Sequence, residues 1–103
     1  MTRRRHSTHK AVRRDLAHAV QSYSEIDPAL AARFVDEYEA SFRRIREFPE
    51  AHRTLFGANR RVYLPSFRYF IAFRVTDQEV RVLAVLHGKR DPKWLRAQVD
   101  GRA

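Results

Sequence analysis

The chain has 103 residues, enough for one hydrophobic core and no second domain, since a chain of this length buries roughly two-thirds of the surface it would expose unfolded. Twenty-one Lys and Arg against twelve Asp and Glu give a net charge of +9 and a pI near 11.0, while 44% hydrophobic residues exclude wholesale disorder. The lack of cysteine excludes disulfides, a thiol nucleophile and Cys-ligated metal, and suits a reducing cytoplasm.

In chain order, Met1–His6 is basic like the start of a secretory signal, but no apolar segment follows it, so no such signal is predicted. Residues 1–8 read as a basic arm or a short edge strand. From His9, Val12, Leu16, Ala19, Val20 and Tyr23 recur at helical spacing and predict an amphipathic helix to about Glu25. Asp27-Pro28 then pairs a capping carboxylate with a proline whose missing N–H costs nothing at a helix start. The second helix carries Leu30, Phe34, Tyr38, Phe42 and Ile45 as a core stripe and ends at Phe48, because Pro49 disfavours helical geometry before it. So short a link predicts an antiparallel helical hairpin.

Beyond Pro49 the period changes to that of strands. Arg60–Leu64, Phe67–Val75 and Val80–His87 are the predicted strands, the last two joined across the polar Thr76–Glu79. Tyr69, Ile71, Phe73 and Val75 share one face of the second strand, and Phe70, Ala72 and Arg74 the other. In the third, Val80, Val82, Ala84 and Leu86 oppose Arg81, Leu83, Val85 and His87; apolar residues on both faces predict a strand inside the sheet. Arg74 and Arg81 are expected as neighbours across the hairpin, on solvated sheet surface. Asp91-Pro92 repeats the cap-plus-proline start for a short helix, Lys93–Val99, whose Trp94 anchors it to the sheet. The sum is one α+β domain spanning 1–103, a helical hairpin packed on a small antiparallel sheet. The longest apolar runs, Tyr69–Phe73 and Val82–Leu86, are five residues each, too short to cross a bilayer, so no membrane partner is expected.

The charge is unevenly placed. Residues 1–14 hold Arg3, Arg4, Arg5, Lys10, Arg13 and Arg14 without an acid, and residues 51–76 hold Arg53, Arg60, Arg61, Arg68 and Arg74 without one. Such a footprint points to a polyanionic or acidic partner. None of Gly57, Gly88 and Gly101 belongs to a phosphate-cradling loop, and His6 and His9 have no further ligands at metal spacing, so neither cofactor nor metal is expected.

The run Ala17, Tyr23, Pro28-Ala29-Leu30-Ala31, Arg33-Phe34, Ile45, Pro49, Arg60-Arg61-Val62, Leu64 resembles the RelE/ParE superfamily of bacterial type II toxins. The resemblance continues through Phe67–Ile71, Phe73–Val75 and Val80–Pro92 to Trp94, about nine-tenths of the chain in order. It implies a β-α-α-β-β-β fold whose first strand pairs with the sheet edge; here Arg3–Thr8 lacks apolar alternation, so that strand is expected to be weak. It also implies a cytoplasmic toxin that is silenced by a cognate acidic antitoxin. Two targets divide the superfamily: ParE-like members inhibit DNA gyrase, whereas RelE-like members cut mRNA on the ribosome.

Cleavage of RNA through its 2′-OH needs a base, an acid and cations around the phosphate. By resemblance, His87 at the end of the last strand, Arg61 and Arg90 are the catalytic candidates if the chain is a nuclease. The target-binding candidates are Arg60, Arg61, Arg68, Lys89, Arg90 and Lys93. RelE-like nucleases bring a tyrosine about six residues beyond the arginine matched by Arg90, and here that place falls near Arg96. This departure, with the His87–Pro92 ending, favours the gyrase inhibitor. Outside the superfamily, the alternative is a small basic nucleic-acid module that stacks bases on Tyr63, Tyr69 or Phe67; it fails wherever those rings face the helices.

Overall fold

The computed structural model describes residues 4–103. The polar segment β1 (Arg5–Thr8) lies along the sheet edge, paired in parallel with Glu79–Val82. Backbone pairing at an edge needs no apolar alternation where neither face is buried. Ser7 fastens it by side chain: its hydroxyl donates to Glu79 Oε2 at 2.9 Å and accepts from Arg81 Nη1 at 2.9 Å. Residues 1–3 of the expected arm or strand fall outside the described residues.

Helix α1 (Ala11–Ile26) has no side-chain cap at Lys10; instead His9 Nδ1 accepts the Ala11 amide at 3.0 Å. Asp27 alone joins it to α2 (Pro28–Glu47), and Asp27 Oδ1 accepts the Ala29 amide at 2.9 Å. A 3-10 turn, Pro49–Ala51, leads into β2 (Arg53–Phe56), which forms a hairpin with β3 (Asn59–Tyr63). The turn is made by Gly57 at φ 56°, a left-handed conformation that glycine adopts without penalty. This strand is an addition to the three read downstream of Pro49. Four residues are too few to display a period, and Gly57 is the local signal of the hairpin. The chain continues through β4 (Tyr69–Val75) and β5 (Glu79–His87) to α3 (Pro92–Arg102), which starts on the expected Asp91 cap and runs three residues past Val99.

The five strands lie in the order β1-β5-β4-β3-β2, antiparallel except for β1 with β5. Helices α1 and α2 cover one face, where Val12, Ala19, Phe34 and Ile45 pack on Ile71, Phe73, Val80, Val82 and Val85. Tyr23, Phe34, Phe67 and Tyr69 form an aromatic cluster there, with ring centroids 4.8–6.1 Å apart and every contacting pair edge-to-face except the tilted Tyr23–Phe34. On the opposite face α3 lays Val99 over Phe70, Ala72, Leu83, Ala84 and Leu86, with Trp94 and Leu95 at the rim. Glu37 of α2 ties the β3–β4 loop down by accepting the Ser66 amide at 2.8 Å. Burial opposes ionisation of Glu37, but the Ser66 bonds and Arg33 outweigh it and hold the carboxyl below its ordinary range.

The expected alternation along β5 is corrected midway. Ala72 pairs with Ala84 while the next residue, Phe73, pairs with Val82, so Leu83 is an extra residue, a β-bulge. Because side chains alternate, one extra residue reverses every face beyond it. Ala84 and Leu86 therefore join Leu83 under α3, while Val85 joins Val80 and Val82 beneath the hairpin. His87 then lies beside Tyr69, its register partner, with ring centroids 5.1 Å apart. Arg74 and Arg81 are register partners, as expected.

The bulge sits where β1 runs out, leaving β5 without a strand partner on that side. A bidentate ion pair takes over: Arg102 Nη1 and Nη2 lie 2.5 and 3.2 Å from Asp15 Oδ2 and Oδ1. Asp15 Oδ2 also accepts the Val85 amide at 3.0 Å, and Arg102 Nη1 donates to the Leu83 carbonyl at 3.2 Å. Both side chains are about 10% exposed. One pair thus satisfies the bulged edge and joins α1, β5 and the last turn of α3.

Candidate functional site

The loop from His87 to Pro92 is the hub of the candidate residues, and its shape follows from its own short-range bonds. The Gly88 amide donates to the Arg68 carbonyl at 2.6 Å, the Lys89 amide to His87 Nδ1 at 3.1 Å, and the Arg90 amide to the His87 carbonyl at 3.2 Å. A β-carbon on Gly88 would stand 2.9 Å from the Tyr63 ring and 3.2 Å from the Arg68 carbonyl, so any larger residue here must displace the ring and press on the carbonyl. Asp91 then caps α3, which divides the surface around the loop into two concavities.

On the α1 side is a cleft of about 300 Å³ whose walls include Arg14, His18, Tyr69, His87, Arg90 and Trp94, with the Asp15–Arg102 pair among its lining residues. The Arg90 guanidinium lies 3.9 Å from the centre of the Trp94 ring, a close cation–π contact. Because His87 Nδ1 accepts an amide, the neutral imidazole carries its proton on Nε2. Burial raises the Tyr69 hydroxyl above its usual pKa, reinforced by Tyr23 and opposed by Arg90, so it stays protonated at neutral pH.

On the other side is a more apolar groove of about 270 Å³, lined by Leu55, Phe56, Phe70 and Leu95 and flanked by Arg61 and Arg96. Arg61 lies over the Tyr63 ring at 5.3 Å and Arg96 over Phe56 at 4.5 Å. Adjacent residues on a strand face opposite ways, so Arg60 points from β3 to the helical side. There its Nη1 donates to the His52 carbonyl at 2.8 Å. Arg68, Lys89 and Lys93 are exposed around the rim of the loop.

The fold therefore brings His87 and Arg90 to one cleft and places Arg61 in the other concavity. Of the rings considered for base stacking, Tyr69 and Phe67 pack against the helices, so that use of them fails. Tyr63 is 45% exposed on the opposite face. Sequence reading did not single out Arg14 and His18 as site residues. Their i, i+4 spacing marks a polar stripe on α1, but what the stripe faces is decided by α3, far along the chain. Among the described residues, no group of three or more His, Cys, Asp or Glu could hold a metal ion, and no helix is long and apolar enough to cross a membrane.

A family model described as the ParE toxin of type II toxin–antitoxin systems, parDE, matches residues 7–92. Toxin ParE2 of Mycobacterium tuberculosis, in strains CDC 1551 / Oshkosh and ATCC 25618 / H37Rv, is 37% identical over 100 residues, covering 96% of this chain and 95% of that protein. Among solved structures, a chain of the chromosomal ParDE TA system from P. aeruginosa shares the fold with a TM-score of 0.70. It is 15% identical, with 82% of this chain and 95% of that chain covered.

Proposed function

The chain belongs to the ParE toxin family of type II toxin–antitoxin systems, and from that premise we propose that it arrests bacterial growth by inhibiting DNA gyrase in the cytoplasm until a cognate acidic antitoxin covers it. The observation that carries the choice of target is the separation of the basic groups. Cutting RNA requires base, acid and cations to converge on one phosphate, whereas the set matched to the nucleases by resemblance is divided: His87 and Arg90 line the cleft and Arg61 the groove. Arg96, near the place of the tyrosine in RelE-like nucleases, is engaged with Phe56. A toxin that seats on a large protein–DNA complex needs a broad cationic surface rather than a converging acid–base pair. Arg61, Arg68, Lys89, Arg90 and Lys93 around the loop supply one.

The same charge explains the antitoxin. At +9 the chain attracts an acidic segment over a distance and orients it before contact. The groove, apolar on its floor and flanked by Arg61 and Arg96, suits an amphipathic segment with carboxylates beside an apolar side chain. Mapping transcript 5′ ends shortly after inducing the chain alone tests the target. Intact messages in cells that stop dividing support gyrase. New ends within translated regions, in register with codons, would overturn it and make His87, Arg61 and Arg90 the catalytic candidates.

A further inference from the structure

The cleft between α1, β5 and α3 carries more positive charge than the fold uses. Its carboxylate, Asp15, is saturated by Arg102 on both oxygens and by the Val85 amide. Left over are Arg14 and Arg90, neither of which is ion-paired with a carboxylate among the described residues, and the imidazoles of His18 and His87. A cation–π contact holds the Arg90 guanidinium 3.9 Å from the Trp94 ring centre and leaves N–H donors available. The Lys89 amide occupies His87 Nδ1 and leaves Nε2–H to donate. Like charges gathered in a concavity are destabilising unless an anion joins them.

We propose that this cleft binds a terminal phosphate group. Its donors come from α1, the end of β5 and the loop before α3, so they approach an anion from several sides. A planar carboxylate is satisfied by one guanidinium fork, as Asp15 is by Arg102. A tetrahedral dianion has three terminal oxygens to distribute among Arg14, Arg90 and the imidazoles. A volume of about 300 Å³ is at the small end of ligand cavities and admits a terminal phosphate with part of its carrier. The phosphate is free or borne by a nucleotide, and the recognition chemistry is shared.

Trp94 is the chain's one tryptophan and lines the cleft, so its fluorescence reports occupancy in the full-length protein. The titrants are inorganic phosphate, thymidine 5′-monophosphate, thymidine and acetate, at constant ionic strength. Phosphate and the nucleotide are expected to give saturable changes, thymidine and acetate none. Equal affinity for the two phosphates identifies the phosphate group alone as the ligand, and tighter binding of the nucleotide identifies a nucleotide site. Arg14→Gln, on exposed helix surface, is expected to weaken binding about tenfold through loss of one charge-assisted hydrogen bond. Arg13→Gln, with the same change of charge outside the cleft, leaves binding unchanged. No saturable response at millimolar phosphate, an equal response to acetate, or equal weakening by both variants would overturn the proposal. Each result is independent of gyrase, so the two readings stand or fall separately.

Discussion

Replacing Arg102 by methionine keeps much of the side chain's length and removes its charge, which isolates what the ion pair contributes. Asp15, about 10% exposed in the intact pair, loses its charged partner in the variant, and the Leu83 carbonyl loses its donor at 3.2 Å. Breaking a buried pair by removing one member costs about 3–5 kcal/mol; the residual exposure of both side chains places this one near the lower end, about 3 kcal/mol. For a domain of this size that is a large share of a total stability of roughly 5–15 kcal/mol, and a fall in Tm of about 12–24 °C. Asp15→Asn should cost less, because an amide oxygen can still accept from the Val85 N–H. Urea unfolding followed by circular dichroism measures the loss, and hydrogen exchange of the Val85 amide locates it. A loss below about 0.5 kcal/mol with Val85 protection unchanged would refute the view that this pair closes the bulged edge, since changes that small are ordinary for surface substitutions.

Gly88→Ala should push the Tyr63 ring off the loop and strain the Arg68 contact, costing about 1–3 kcal/mol by overpacking; denaturant unfolding measures it, with Tyr63 ring shifts by NMR as the local sign. Arg61→Ala and, separately, Arg90→Ala should relieve growth arrest, Arg90→Ala with antitoxin binding retained and Arg61→Ala with it weakened at the groove; toxicity retained in both at equal expression removes them from the target surface. His87→Ala should remain toxic, because gyrase inhibition needs no acid–base residue there; a non-toxic, folded variant would favour cleavage. Burial, then Arg102, Arg81 and Lys10, lower the pKa of His9, whose Nδ1 must stay unprotonated to accept the Ala11 amide. Its stabilising contribution is thus fully present above about pH 6.5 and declines as pH falls toward the depressed folded value, because the unfolded chain takes the proton first. Wild type should lose more stability than His9→Ala over that interval in parallel urea titrations.

The helical hairpin was legible because the stripe from Leu30 to Ile45 spans several turns and Asp27-Pro28 marks its start. The same dipeptide logic found α3 through Asp91-Pro92. Strand β1 gave only a weak signal, since a polar edge strand is held by backbone bonds that any sequence can make. The bulge was invisible because Val80–Leu86 is apolar on both faces, so no residue type marks where the alternation slips. That slip places His87 beside Tyr69. The cleft was hidden for a different reason: Asp15 and Arg102 are 87 positions apart, and each alone reads as an ordinary surface charge. Loop residues such as Arg90 were accessible through resemblance, but the division of Arg61 from His87 and Arg90 depended on strand register and on where α3 lies.

The most direct test of the central claim is a supercoiling assay: the purified chain is added to gyrase, relaxed plasmid and ATP, with and without its antitoxin. Inhibition of supercoiling that rises with the chain's concentration and is reversed by the antitoxin is the predicted result. Unimpaired supercoiling at concentrations of the chain well above those of gyrase would contradict it.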